Sequence, residues 1–503
     1  MPTVSFDHGV ASGDPLSDRV ILWTRVSPEM AGAQTVMWQV ATDEGFQNLV
    51  VQDEGTTDAS RDYTVKVDAM GLEAGTTYFF RFMSGGVTSP VGRTKTLPTG
   101  SVSQAKFVVF SCSNYPTGYF HAYAEAAQVA DVDAAIHLGD YIYEYDRAGY
   151  ASQNAAMLGR ESNPDSELFS LADYRTRYAQ YRTDPGLQAL HAALPMIAVW
   201  DDHEVANDAY DGGAENHQDN EGPWEDRLAV ALQAYAEWMP IRPAVENGAE
   251  LLQRSFEFGD LVRLIMIDTR IVGRQEQLNL ANFFDQAGNF DAVAYAAAIG
   301  DPERTMLGTD QRTWLLGQLG EPATWHVLGN QVLMGTMELP SSVLPSDPSD
   351  PSSAPLSFTD YVVLAQRVQA GDPTLTPQEL ALFNAPSLPY NLDAWDGYPV
   401  ERATVLGASA QQGNSLVVLA GDTHNAWANN LVLPDGNETP AGVEFATASV
   451  TSPGLEGFLG IASPQQAAAF EGGLVGIIQG LQYTNLLDRG FMTVTFTPTE
   501  ATA

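Results

Sequence analysis

Cysteine occurs once in these 503 residues, at Cys112. An internal disulfide is therefore excluded, and Cys112 is either a small core hydrophobe or a thiolate with a chemical role. Cations are scarce as well: 24 Lys and Arg stand against 63 Asp and Glu, a formal net charge of −39. Nucleic-acid binding through a basic surface is disfavoured, because phosphate contacts draw on Lys and Arg. The same imbalance repels anionic substrates, so a phosphate-handling site here needs concentrated local positive charge, most simply metal ions. No apolar run is long enough to span a bilayer. Neither G-x-x-x-x-G-K-[ST] nor G-x-S-x-G occurs. A P-loop site is thereby left out and a serine-nucleophile hydrolase is disfavoured. No leader is visible, since Met1 runs straight into PTVSFDHGVASGD. The chain is either cytoplasmic or exported with its leader removed, and its acidity suits a secreted, salt-exposed protein.

What is present divides in two. Residues 1–100 read as a β module: 20–28, 35–43, 63–71 and 76–86 alternate apolar and polar residues between Gly, Pro and Asp. GLEAGTTYFFRF resembles the tyrosine-corner region of a fibronectin type III-like sandwich. LPTGSVSQ (97–104) reads as a linker. From 104 to 503, short apolar strands at 106–112, 134–140, 195–202, 261–270, 323–330 and 415–424 alternate with helical stretches such as 225–239 and 309–319. That pattern predicts a layered α/β domain, with a closing strand at 491–498 rejoining the main sheet. The Pro- and Ser-rich stretch 339–357 reads as a surface excursion, a candidate flap.

Charged residues recur just past the strand ends, where open α/β sheets place their sites. GDYIYEY (139–145) offers Asp140, a hard oxygen ligand able to bridge two cations, and Tyr143, whose phenolate can ligate ferric iron. WDDHEVAND (200–208) crowds Asp201, Asp202, His203 and Glu204. Carboxylates held together repel unless a cation neutralises them, and a histidine beside a phosphate can donate a proton to an oxygen. LAGDTHNAW (419–427) presents Asp422 and His424 from one turn, a compact chelating pair. VLGNQ (327–331) contributes Asn330 and Gln331 as supporting amides or a weak ligand. Arg270 in DTRIVGR either clamps a phosphate or pairs with Asp268. Each motif alone also has an ordinary reading: a strand-end cap, a packed aromatic, a solvated acidic turn. Together, Cys112, Asp140, Asp202, Asp422 and His424 supply enough donors for two or three cations.

FDHGVASGDPLSDRVILWTRVSP (6–28), FVVFSCSNY (107–115), HLGDYIYEY, TDPGLQALHAALPMIAVWDDHEV (183–205), LGTDQRTWLLGQL (307–319) and LAGDTHN follow one another in an order that resembles the PhoD-like alkaline phosphatases, a branch of the calcineurin-like metallophosphatases. The resemblance implies a layered metallophosphatase domain behind a β-sandwich. It implies hydrolysis of phosphomonoesters and phosphodiesters by in-line attack of a metal-activated hydroxide or bridging oxygen. One ferric ion (Fe3+) and one or two calcium ions (Ca2+) are implied as cofactors, with Cys112, Asp140, Tyr143, Asp202, Asp422 and His424 as ligands and Asp140 bridging. His203 is implied as the group that stabilises the transition state or assists the leaving alkoxide. SCS stands where the wider superfamily has Asp-x-His, and Gly421-Asp422-Thr423-His424 where it has Gly-His-x-His. Export through the twin-arginine route is also implied. Phosphate esters are the expected partners, with a monomer favoured. A phospholipase D-like phosphodiesterase is the nearest variant. A calcium-binding surface adhesion protein is the alternative from another class, and it leaves Cys112 without a role.

Overall fold

A computed structural model describes residues 4–242, 253–285, 290–344 and 353–503. Two sheets share one apolar core. The first has eight strands in the order Ala501–Thr502, Met492–Phe496, Ala105–Phe110, Ala134–His137, Pro195–Ala198, Val10–Gly13, Arg19–Arg25 and Thr64–Met70. The second has seven: Arg254–Phe258, Val262–Met266, Trp325–Gly329, Leu416–Ala420, Pro440–Ala446, Ala426–Val432 and Leu481–Asn485. The central strands of each run parallel. They are buried on both faces, which is why they read as continuous Val, Ile, Leu and Phe runs. Phe107 of the first sheet meets Phe258 of the second edge to face, ring centroids 4.8 Å apart, and Val109, Leu264, Val327 and Leu419 join the same cluster. The closing strand pairs antiparallel with Ala105–Phe110, as expected.

The predicted N-terminal strands form, with a further five-stranded sheet centred on Gln34–Ala41 and Thr77–Ser84. Val20, Leu22, Val36, Trp38 and Phe80 fill the space between the layers. The Tyr78 hydroxyl accepts a hydrogen bond from the Glu73 amide (2.8 Å), the contact expected of a tyrosine corner. One feature is absent from the sequence pattern. Val10–Gly13 pairs in parallel with Pro195–Ala198, so the sheet of the N-terminal segment runs on into the main sheet.

Helices cover the outer faces. Trp224–Trp238 buries Trp224, Arg227, Ala231, Ala234, Tyr235 and Trp238, a helical stripe. Glu225 and Asp226 complement the dipole of its first turn, and Met239-Pro240 ends it. Of the predicted flap, Glu338–Pro340 pairs with Ser387–Pro389, whereas 345–352 lie outside the described residues.

Candidate metal centre

The carboxyl ends of Ala105–Phe110, Ala134–His137 and Pro195–Ala198 in one sheet and of Val262–Met266, Trp325–Gly329 and Leu416–Ala420 in the other deliver the site residues. Two glycines let these ends close up. A Cβ on Gly139 (φ +102°) would stand 2.3 Å from the Asp201 nitrogen, and one on Gly421 would stand 2.6 Å from the Ser111 Cβ. Cys112, Asp140, Asp422 and His424 all hold left-handed backbone, with φ of 61°, 55°, 63° and 63°. Such conformations cost on the order of 1 kcal/mol each and persist only where the surroundings over-determine them, typically at functional sites. Here the determinants are hydrogen bonds between neighbouring ends. The Cys112 amide donates to Gly139 O (3.1 Å), Ser113 to Asp140 O (2.9 Å) and Gly421 to Gln331 O (2.7 Å).

Three donor groups result, each with ligand atoms within 4.8 Å of one another: Cys112, Asp140 and His424; Asp140, Asp202 and His203; Asp201, Asp202 and Asp422. Tyr143 joins the first, its hydroxyl 2.9 Å from Asp140 Oδ2 and 3.3 Å from His424 Nε2. All seven expected site residues therefore converge, with Asp140 common to two groups. His424 Nδ1 donates to Pro453 O (2.7 Å), which fixes the tautomer and leaves the Nε2 lone pair facing Asp140 and Tyr143.

The comparisons with known proteins agree with one another. Residues 107–503 match the model of the PhoD-like phosphatase family and residues 1–98 match that of its N-terminal domain. The chain belongs to the PhoD-like phosphatase family. Alkaline phosphatase D of Bacillus subtilis (strain 168) is 36% identical over 465 residues, 89% of this chain and 70% of that protein. A solved structure described as "Structure of PhoD" superposes with a TM-score of 0.76 at 33% identity, covering 98% of this chain and 84% of that one. This PhoD-like chain is a metal-dependent hydrolase of phosphate esters, and the adhesion reading gives way.

The electrostatics of the PhoD-like site fit a cation-loaded centre. Asp201, Asp202, Asp393 and Asp422 surround the Arg270 guanidinium, and Asp393 also pairs with Arg274. Burial, then the charges of Asp140, Asp422 and Asp201, holds the Cys112 thiol pKa well above its ordinary value. Tyr143 is raised by burial and by Asp140 and Cys112. Asp201 and Asp422 are pushed far up by burial and carboxylate neighbours, against the pull of Arg270. Asp202 runs the other way: Arg270 and His203 outweigh its burial and lower it. Asp140 Oδ1 and Asp201 Oδ2 are buried without a hydrogen-bond partner. A thiol, a phenol, an imidazole and unpartnered carboxylate oxygens facing one another are the donor set of a metal centre, and a cation relieves the repulsion that raises these pKa values.

A linkage prediction follows. A carboxyl whose folded pKa lies above its unfolded value stabilises the fold below the unfolded pKa and loses that contribution as pH rises through the folded one. Chelator-treated protein should therefore lose stability as pH climbs from the ordinary aspartate range through neutrality, and added Ca2+ should flatten the slope. Thermal melts across pH, with and without the cation, check this. A pH-independent Tm in the chelated protein would contradict the raised Asp201 and Asp422.

Two expectations are corrected. The Arg270 guanidinium is committed to carboxylates other than Asp268. It is fully buried, bonds Asp201, and reaches Asp393 at 2.7 Å and Asp422 at 3.0 Å, while Asp268 Oδ1 accepts the Arg270 and Ile271 amides instead. Asn330 and Gln331 are spent on the scaffold: Asn330 bonds Val332 O and the Trp395 indole, and Gln331 bonds Trp200 O, Ile267 O and Thr269. Three acids add to the expected set. Glu204 accepts the amides of Asp140, Tyr141 and Asp201, locking two strand ends together, and burial followed by the Asp140 charge pushes its pKa up to about 8. Glu144 accepts from His203 Nδ1 at 2.7 Å. Asp393 bridges Arg270 and Arg274. Glu144 and Glu204 sit inside motifs already marked; Asp393 carries no sequence signal.

Proposed function

We propose that Cys112, Asp140, Tyr143 and His424 hold Fe3+ and that Asp140, Asp202 and Asp422 hold Ca2+, with Asp140 bridging. The observation that carries this reading is the membership of Asp140 in two donor groups, with one buried oxygen unpartnered. The first group joins thiolate and phenolate to imidazole, a set that suits ferric iron; the second and third groups share Asp202 and between them supply Asp140, Asp202 and Asp422, carboxylate oxygens that suit calcium. Bound there, the cations would screen the carboxylates and supply the Lewis acidity that activates water and polarises the phosphoryl group.

The residues of the chain do the rest. Burial opposes a charged His203, but Asp202, Asp140 and Glu144 together outweigh it and hold its pKa well above the ordinary value. Its Nδ1–H is committed to Glu144, so Nε2–H is the donor left for the leaving-group oxygen. Glu144 is itself fixed by the Asn207 amide and the Asn216 side chain, both at 2.8 Å. Tyr143 and Tyr145 pack on the imidazole, ring centroids 4.2 and 5.3 Å away, and shield it from water. Glu144 is thus a positioning residue and His203 the proton donor.

The charge inventory favours diesters. Arg270 is the guanidinium nearest the donor groups and is saturated by carboxylates, so it is not available to a phosphate dianion. A diester brings one negative charge fewer into an acidic site. Bis(4-nitrophenyl) phosphate is therefore expected to show a kcat/KM about tenfold or more above that of 4-nitrophenyl phosphate, equivalent to about 1.4 kcal/mol. A preference for the monoester would contradict the assignment. The division into a fibronectin III-like module at 1–100 and a catalytic domain at 104–503 belongs to the same proposal, supported by the separate apolar cluster of the module. So does export of the folded protein, supported by the acidic composition and a single buried thiol that needs no oxidative partner.

A further inference from the structure

The strand Pro440–Ala446 runs on into residues 447–453, a segment outside every motif that marked the site. It touches Cys112, Tyr143 and His424, three of the residues assigned to iron. The Val450 amide donates to Ser111 O at 3.0 Å, and the amides of Thr451 and Ser452 reach Cys112 O at 3.4 Å. Pro453 O accepts from His424 Nδ1 at 2.7 Å. Between these contacts the Ser452 hydroxyl lies 2.7 Å from the Tyr143 hydroxyl and 3.0 Å from Cys112 O. It is held there from behind: Ser452 O accepts from Ser449 Oγ at 2.6 Å, and the Ser449 amide donates to His424 O at 3.2 Å.

Ser452 has one hydroxyl proton and two oxygens that could take it. Cys112 O keeps its two amide donors if the hydroxyl turns away. Tyr143 has no such reserve. Its other polar neighbours among the described residues are Asp140 Oδ2 at 2.9 Å and His424 Nε2 at 3.3 Å, and both are ligand atoms in the iron reading. Once Tyr143 is a phenolate, neither has a proton to give it. Ser452 and Tyr143 are both buried, so the phenolate oxygen draws on Ser452 rather than on bulk water. A hydrogen bond to an anion is roughly twice as strong as one between neutral partners, which favours the phenolate over the Cys112 carbonyl as the acceptor.

We propose that Ser452 is a positioning residue of the iron site: its hydroxyl donates to the Tyr143 phenolate, fixes the phenol ring and withdraws part of the charge that this ligand gives the metal. The inference rests on the assignment of Tyr143 to iron above. Hydrogen bonds to ligand atoms set both how tightly a metal is held and how electron-rich it is. A hydroxyl that only tied residues 447–453 to Cys112 O would leave the electronic character of Tyr143 untouched, and that difference can be measured.

The test is the visible spectrum of the purified, iron-loaded holoenzyme as wild type, Ser452→Ala and Ser452→Thr. A phenolate on ferric iron gives a charge-transfer band, and losing a hydrogen bond raises the energy of the phenolate electrons. In Ser452→Ala the band should therefore move to longer wavelength, and iron should pass to a competing chelator about tenfold or more readily. Ser452→Thr keeps the hydroxyl and should return both readings towards wild type. A wild-type band and wild-type iron retention in Ser452→Ala overturn the inference, as does a folded Ser452→Thr that behaves like the alanine variant. Should the alanine variant not fold, resonance Raman spectra of the wild-type enzyme in H2O and D2O decide: a phenolate mode that shifts on deuteration carries the hydrogen bond, and an unshifted mode overturns the inference. The two levels separate cleanly. A wild-type holoenzyme with no phenolate band removes Tyr143 from the iron, whereas a band that ignores Ser452 removes this inference alone.

Discussion

Asp140→Ala is expected to lower kcat/KM by at least about 1000-fold, the equivalent of about 4 kcal/mol in transition-state stabilisation. Among the described residues no other side chain belongs to both donor groups that include Cys112 or His203, and its Oδ1 is buried there without a hydrogen-bond partner. Removing it takes a ligand from both proposed cations and a partner from the Tyr143 hydroxyl. The backbone needs its own control, because Asp140 sits at φ 55° and alanine tolerates that conformation poorly. Asp140→Asn keeps the shape and accepts a left-handed φ, but neutralises the carboxylate. Both variants should be folded by circular dichroism, with alanine melting lower than asparagine and both nearly inactive in initial-rate assays. Activity within about tenfold of wild type in either folded variant would contradict the bridging role.

Arg270→Met should destabilise the protein by about 3–5 kcal/mol, the usual penalty for leaving buried charge uncompensated. The guanidinium is fully buried, and among the described residues it is the one cation that touches Asp201, Asp393 and Asp422 together. Methionine approximates its length and repays part of the packing, so the loss reports on charge. Urea unfolding of wild type and variant measures it, and cations should narrow the gap because they neutralise the same carboxylates. A change below about 1 kcal/mol would mean that this guanidinium compensates no buried carboxylate charge in the fold.

The contrast between these two residues shows what a sequence can carry. Asp140 was visible because it ends a buried strand in a short motif, and such motifs are local: strand, glycine, acid. The same holds for Asp202, Asp422 and His424, and for the Val- and Phe-rich strands that deliver them. Arg270 also ends a strand, yet its partners lie 69, 123 and 152 residues away, so nothing local says that it closes a ring of carboxylates. Asn330 and Gln331 look like ligands at a strand end, but the converging strands of the second sheet leave backbone carbonyls and amides that these side chains must satisfy. The pairing of Val10–Gly13 with Pro195–Ala198 escaped for a related reason, since a strand's apolar pattern does not name its neighbour. Left-handed backbone at Cys112, Asp140, Asp422 and His424 is likewise a tertiary result, imposed by neighbouring strand ends.

Metal analysis of the purified, active protein is the most direct test of the account. Near-stoichiometric iron together with calcium is the predicted result. An active enzyme that carries zinc alone, or neither iron nor calcium, would contradict the assignment of Cys112, Asp140, Tyr143 and His424 to ferric iron and of Asp140, Asp202 and Asp422 to calcium.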